Sequence, residues 1–337
     1  MTRNRITFRL FCVATLLFGL AARASAEVHE VSLAQQFGIG SLTFMVMEDQ
    51  KLLEKQAAAA GLGEVKVNWV RFPGGAAMND AIISGDLQFA LGGVAPFATL
   101  WSKTRSNLGV KAVYAVNSMP MLLNTRNPQV KTLKDFTDKD KIALPGVKVS
   151  IQAVILQMAA GQAFGPGHEH ELDRLTVTRS HADGMAALLS NASEIDSHFT
   201  SPPYSYEELE HPGIHTVLNS YDVLGSPLNL NVIYTTTRFR DANPKIYAAC
   251  LRAFEQATAF IQNNKKAAAE IYLKVSKDKT PVEEVLKILD NPQVSFTLTP
   301  QGTMKIVDFM YSSGMLKVKP PSWQEMYMPE AHRLPGG

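Results

Sequence analysis

The chain has 337 residues, with 33 basic and 31 acidic side chains, a formal charge of +2 and two cysteines. This near balance leaves no basic footprint of the kind nucleic-acid binding requires. The length suffices for one large core or two smaller ones.

Residues 1–26 read as a cleaved secretory signal. Arg3, Arg5 and Arg9 form a basic start, residues 10–20 an apolar run, and Ala24-Ser25-Ala26 the small residues that a signal peptidase requires. The run is too short for a membrane anchor, which needs about 20 residues. Cys12 stands at the start of the run and not after it, against a lipoprotein cleavage box. Cleavage also removes Arg23, taking the basic count from 33 to 29 against 31 acids. With Cys12 gone, Cys250 has no intramolecular partner, and stability must come from the packed core. No second long apolar run follows.

Residues 28–33 alternate and end in the polar turn Gln35-Gln36-Phe37-Gly38. Apolar spacing predicts a helix over 41–60, stopped by Gly61-Leu62-Gly63. A strand over 65–72 follows, then Pro73-Gly74-Gly75 and a helix carrying Ala77, Ala81, Ile82 and Ile83. The segment 85–100 is the most informative: a buried strand over 87–91, a Gly92-Gly93 break, and a helix over 94–104 with Pro96 in its first turn, where Pro is well suited. Glycine at such a break lets backbone approach a bound molecule and leaves the first helical N–H groups aimed at it. That arrangement binds small anionic groups without a charged side chain. A fourth strand covers 110–116, and the strict strand–helix alternation predicts a mostly parallel, covered sheet.

Asn117-Ser118-Met119-Pro120 breaks this pattern. Residues 121–124 read as a short strand of a second sheet, 133–136 as a helical turn, 139–141 as a solvated loop and 142–149 as extended chain. Ser150 is a favoured N-cap for a helix to 164 with one apolar face. A strand over 175–177, a helix over 182–189, a short strand containing Ile195, the pocket-like segment 198–203 and a strand over 214–218 complete the second unit. After a break at 221–227, residues 229–234 read as a return strand. Helices over 244–263, 265–275, 281–289 and 300–312 form the rest. The fold expected is α/β, with two lobes joined by two crossing strands and a helical C-terminal tail on lobe one. Its divisions are 27–118 (lobe one, first part), 119–226 (lobe two) and 227–337 (return strand and tail).

At this point the chain resembles the periplasmic substrate-binding proteins of ABC importers in the nitrate/sulfonate/taurine group. The residues that carry the likeness are Gly85-Asp86-Leu87-Gln88-Phe89-Ala90-Leu91-Gly92-Gly93, Leu133-Lys134-Asp135-Phe136, Lys141-Ile142-Ala143-Leu144-Pro145, Ser150 and the segment IDSHFTSPPY over 195–204. His198 and Phe199 depart from the more usual Trp-rich form of that last segment. The resemblance covers the mature chain. It implies a type II periplasmic binding protein fold, a monomer in the periplasm, a small organic anion or heterocycle (sulfonate, aromatic carboxylate or pyrimidine-like) as ligand, and a membrane permease as partner. It implies no cofactor and no metal.

Four turns would converge on the cleft of such a fold, where open α/β sheets bind ligands. They are Gln36-Phe37-Gly38, Gly74-Gly75, Gly93-Val94-Ala95 and Ser150-Ile151-Gln152. Ser150 and Gln152 would add side-chain donors, His198 a hydrogen bond or a charge, and Phe37 and Phe199 apolar walls. Arg71, next to the Gly-Gly turn, is a second-rank partner for a carboxylate or sulfonate, with a surface ion pair at least as good a reading. Closure would hinge about 117–120 and 221–227.

Several features have plainer readings. His168-Glu169-His170-Glu171 has metal-ligand residue types, but a Gly/Pro-flanked loop without distant partners favours a solvated polar loop. His181 and Asp183 open a helix, where Asp favours the dipole. Cys250 sits on an apolar helix face as a small hydrophobe. No Gly-x-Ser-x-Gly elbow, P-loop or dinucleotide fingerprint occurs. An exported enzyme on the same scaffold is the alternative, separated from a receptor by a search for turnover.

Overall fold

The computed structural model describes residues 27–190 and 192–337; the signal segment 1–26, with Cys12, lies outside the described residues. Three strands, β1 (Glu30–Gln35), β2 (Lys66–Arg71) and β3 (Phe89–Gly93), run parallel with β1 in the middle, so Leu33 sits beside both Trp69 and Phe89. The helices Leu42–Gln50, Leu52–Ala59 and Gly75–Ser84 connect them, and Val94–Thr104 leads to β4 (Val110–Ser118). All five residues of β3 are buried, as expected of a strand covered on both faces.

The chain then changes sheets. β5 (Leu122–Thr125), β6 (Ile142–Leu144), β7 (Thr176–Thr178), β8 (Ser197–Thr200) and β9 (His215–Asn219) form a five-stranded sheet in the order β7-β6-β8-β5-β9. Its helices are Ile151–Phe164, His181–Leu189 and Tyr204–Leu209. After the short helix Ser220–Leu224 the chain returns as β10 (Asn229–Thr236), antiparallel between β3 and β4, and β11 (Ser295–Phe296) adds an edge to β4. The first sheet therefore reads β11-β4-β10-β3-β1-β2.

The long C-terminal helix Pro244–Asn263 packs on the first sheet through Phe254, whose ring lies 5.8 Å from Phe44 and 5.5 Å from Phe89. Cys250 is buried on that same face, and burial raises its thiol pKa. Lys265–Ser276, Val282–Asp290 and Thr303–Ser312 follow. No helix among the described residues is long and apolar enough to cross a membrane.

Local differences from expectation have local causes. The helix expected over 41–60 is two helices, because Lys51 takes a left-handed conformation (φ 52°) that breaks the ladder between them. Gln35, expected in a turn, is the last residue of β1, paired with Arg71. The extended run expected over 142–149 pairs only as Ile142–Leu144, since Pro145 then turns the chain. Ile195 precedes β8 and is not part of it. The helix Ile151–Phe164, expected to bury one face, buries nearly all of its first three turns. It lies against two helices of the other lobe, Val94–Thr104 and Thr303–Ser312.

Candidate functional site

Between the lobes lies a cleft of about 300 Å³, at the small end of the range for small-molecule sites. Its walls come from the strand-to-helix turns of both sheets, and the helices starting there are conspicuous for how they start. Gly75–Ser84 and Val94–Thr104 begin at Gly74 and Gly93, which have no side chain to cap them. Their first N–H groups thus lack the intrahelical or side-chain partners that helix starts otherwise need. From the second lobe, Ser150 caps Ile151–Phe164 by accepting from the Ala153 amide at 3.2 Å. Its own hydroxyl proton stays free to donate, since a hydroxyl accepts and donates independently.

The glycines are also where the lobes meet. A Cβ on Gly74 would stand 2.8 Å from the Pro145 carbonyl oxygen, and one on Gly93 would stand 3.3 Å from Ile151 Cγ2. Both neighbours belong to the other lobe. Glycine is needed at Gly74 for this close approach of two backbones.

Of the residues expected at the site, Gln36, Phe37, Gly74, Gly75, Gly93, Ser150, Ile151 and Gln152 line the cleft. Gln152 is only 3% exposed, and its amide makes no side-chain hydrogen bond among the described residues. Such an amide has one acceptor and two donor positions open to the cleft. Phe37 is a large apolar side chain left partly exposed, and it forms one wall.

The others do not reach the cleft. His198 is fully buried in β8 behind it; its Nδ1 is 2.5 Å from Glu208 Oε1, and its ring lies against Gly184. Phe199 is fully buried in the core, as strand alternation sends it to the opposite face from His198. Arg71 points away and donates from Nη2 to the Val275 carbonyl at 2.8 Å, near the end of the Lys265–Ser276 helix, where carbonyls lack intrahelical donors. Gly38 (φ 99°) packs against Tyr204 and the Pro202 carbonyl of the second lobe. Val94 and Ala95 bury their side chains in lobe one and bring only backbone to the turn.

Several cleft side chains were not among the expected site residues, Asn231 and His181 among them. Asn231, in β10, lines it, with Nδ2 3.5 Å from the Gly40 carbonyl; Asn117 donates to that same carbonyl at 2.6 Å. Asparagine is disfavoured inside strands, and two of them in the run NLNVIY are a legible signal. His181, the first residue of its helix, lines the cleft at 6% exposure. Its Nδ1 is 2.6 Å from Thr200 Oγ1, and its ring stacks on Tyr204 (5.9 Å, 10°). Burial, with the nearby His198, pushes its pKa down to about 3. No signal in the sequence separates this His from an ordinary helix opener.

Among the described residues no Lys, Arg, Asp or Glu lines the cleft. Its polarity comes from helix starts, amides, hydroxyls and one neutral imidazole. The loop 168–171 lies elsewhere, its groups paired locally, with His170 Nδ1 2.9 Å from Asp173 and His168 Nδ1 3.6 Å from Glu171.

No protein-family profile and no curated protein matches the chain. Solved structures do. The alkanesulfonate-binding protein SsuA of Xanthomonas axonopodis pv. citri, bound to MOPS, is 16% identical over 87% of this chain and 96% of that one, with a TM-score of 0.69. The periplasmic nitrate-binding protein NrtA of Synechocystis is 15% identical over 89% of this chain and 84% of that one, with a TM-score of 0.68. A Candida albicans protein described as defining a new family with the generic periplasmic binding protein fold is 14% identical over 89% and 96%, also at 0.68. At such identities the likeness is one of fold, and the chain has the two-lobed periplasmic binding protein fold.

Proposed function

We propose that this chain is a periplasmic solute-binding receptor of an ABC importer. It closes on one small organic anion or heterocycle and delivers it to a permease in the inner membrane. The observation that carries this reading is the cleft itself: uncapped helix starts of one lobe face the Ser150–Gln152 turn of the other across a space without charged side chains among the described residues. Such a site holds an anionic or hydrogen-bond-accepting group by backbone N–H groups and helix dipoles. Contacts to both lobes at once favour the closed form over the open one. The export signal and the sulfonate- and nitrate-binding neighbours support the compartment and the ligand class. Phe37, Ile151, Val149 and Leu230 line the cleft, and these apolar walls favour an organic molecule over nitrate.

A thermal-shift screen over alkanesulfonates, aromatic carboxylates, pyrimidine precursors and nitrate tests the proposal, with the mixtures analysed for product. Ligand at 100 times its Kd stabilises by about 2.7 kcal/mol, which for a chain of this size raises the melting point by about 4 °C. A shift with the organic compounds and no product is expected. No shift with any class contradicts the receptor reading, and product formation points to the exported enzyme.

A further inference from the structure

The receptor reading says that the cleft holds a small molecule; His181 says more about which one. Its imidazole is fixed on two sides, by Thr200 Oγ1 at Nδ1 and by the Tyr204 ring beneath it. Nε2 makes no hydrogen bond among the described residues, and the residue lines the cleft while 94% enclosed, its relative exposure being 6%. Gln152, 3% exposed and likewise unpaired, lines the same space. Resting on the receptor reading, we infer that His181 is a specificity-determining residue. Its Nε2 reads one neutral hydrogen-bonding group, such as a hydroxyl, on a ligand bearing no more than one negative charge.

Two independent facts support this. The imidazole is held neutral, with its pKa pushed down to about 3 by burial and by His198. It therefore offers a single polar atom and no charge to a partner. The cleft also lacks any cationic side chain among the described residues, and the nearest expected candidate, Arg71, is engaged with the Val275 carbonyl. Helix starts supply only about half a unit of positive charge each. One anionic group can be accommodated there, whereas a second would be buried without a counter-charge.

Calorimetric titration with matched probes tests the inference: benzoate against its three monohydroxy isomers, ethanesulfonate against 2-hydroxyethanesulfonate, and 4-sulfobenzoate as a dianion. In the wild type at least one hydroxylated probe should bind about tenfold tighter than its parent, and the dianion should bind more weakly than benzoate. In His181→Phe the hydroxyl preference should fall to near unity, while the parent compound still binds. His181→Gln, whose amide nitrogen reaches the Nε2 position, should restore part of it. Because His181 also stacks on Tyr204, Thr200→Val gives a second route that leaves the stack in place; loss of the Nδ1 anchor should reduce the preference severalfold. A preference unchanged in His181→Phe and Thr200→Val overturns the role of His181 while the receptor reading stands. Tighter binding of the dianion overturns the charge limit. Absence of binding by every probe to the wild type overturns both the inference and the reading beneath it.

Discussion

His181 and His198, whose ring centroids lie 6.3 Å apart, show how one residue type takes opposite roles. His198 is fully buried with Glu208, which also accepts from Asn124 Nδ2 at 2.9 Å, so the imidazole serves the interior of lobe two. His181 reaches the cleft. The burial that keeps it neutral has a measurable consequence. Its folded-state pKa of about 3 lies below the ordinary value of 6.5, so the unfolded chain binds a proton that the folded one refuses. The stability from this group is fully present above pH 6.5 and is lost as the pH falls from 6.5 towards 3. Between pH 6.5 and 5 the unfolding free energy should drop by up to about 1.4 kcal/mol per pH unit through this residue. Urea unfolding at several pH values checks it: His181→Gln should show a flatter profile, and an identical slope would place the proton elsewhere. None of this was legible in the sequence. His198 stood in the segment that resembles a ligand-binding signature, but Glu208 and Asn124, which draw it inward, are brought to it only by the sheet and the next helix.

At the scale of elements, the strand-to-helix turns were the legible part. Gly74-Gly75, Gly92-Gly93 and Ser150 each stand where a helix begins, and their backbone chemistry needs no long-range information. What could not be read was which turn touches which. Gly74 meets Pro145, and Gly93 meets Ile151, across the gap between lobes. This makes Gly74→Ala a discriminating substitution. Its methyl would come 2.8 Å from the Pro145 oxygen only when the lobes are together. Overpacking of this kind costs about 1–3 kcal/mol, and here it falls on the closed form. Ligand affinity should drop about tenfold or more, with little change in the melting point of the ligand-free protein, as measured by titration and calorimetry. Equal losses of both would mean that the turn supports lobe one and not closure. The break at Lys51 illustrates the opposite limit: the apolar spacing of 41–60 is continuous, and the kink arises from a backbone conformation that periodicity does not encode.

For the whole molecule, alternation of strand and helix was enough to expect two covered sheets and a helical tail, because each sheet face needs an apolar partner. The change of sheet between β4 and β5 coincides with Asn117-Ser118-Met119-Pro120, and β10 returns between β3 and β4. Asn229 Nδ2 is 3.0 Å from Ser118 Oγ, which in turn donates to Gln301 Oε1 at 2.8 Å. These bonds tie the two crossings to each other and to the tail beside the cleft. The pairing of the short edge strand β11 depends on a partner about 180 residues away and has no local signature. The same architecture serves many small molecules, so the cleft's own side chains decide which one binds. The most direct measurement is therefore a crystal structure of the protein with the tightest-binding compound from the screen. The account predicts that compound intact between the lobes, its acidic or acceptor group within hydrogen-bond distance of first-turn amides at Gly75 or Ile151 and of the Gln152 amide. A compound bound outside the cleft, or found there as a reaction product, would contradict it.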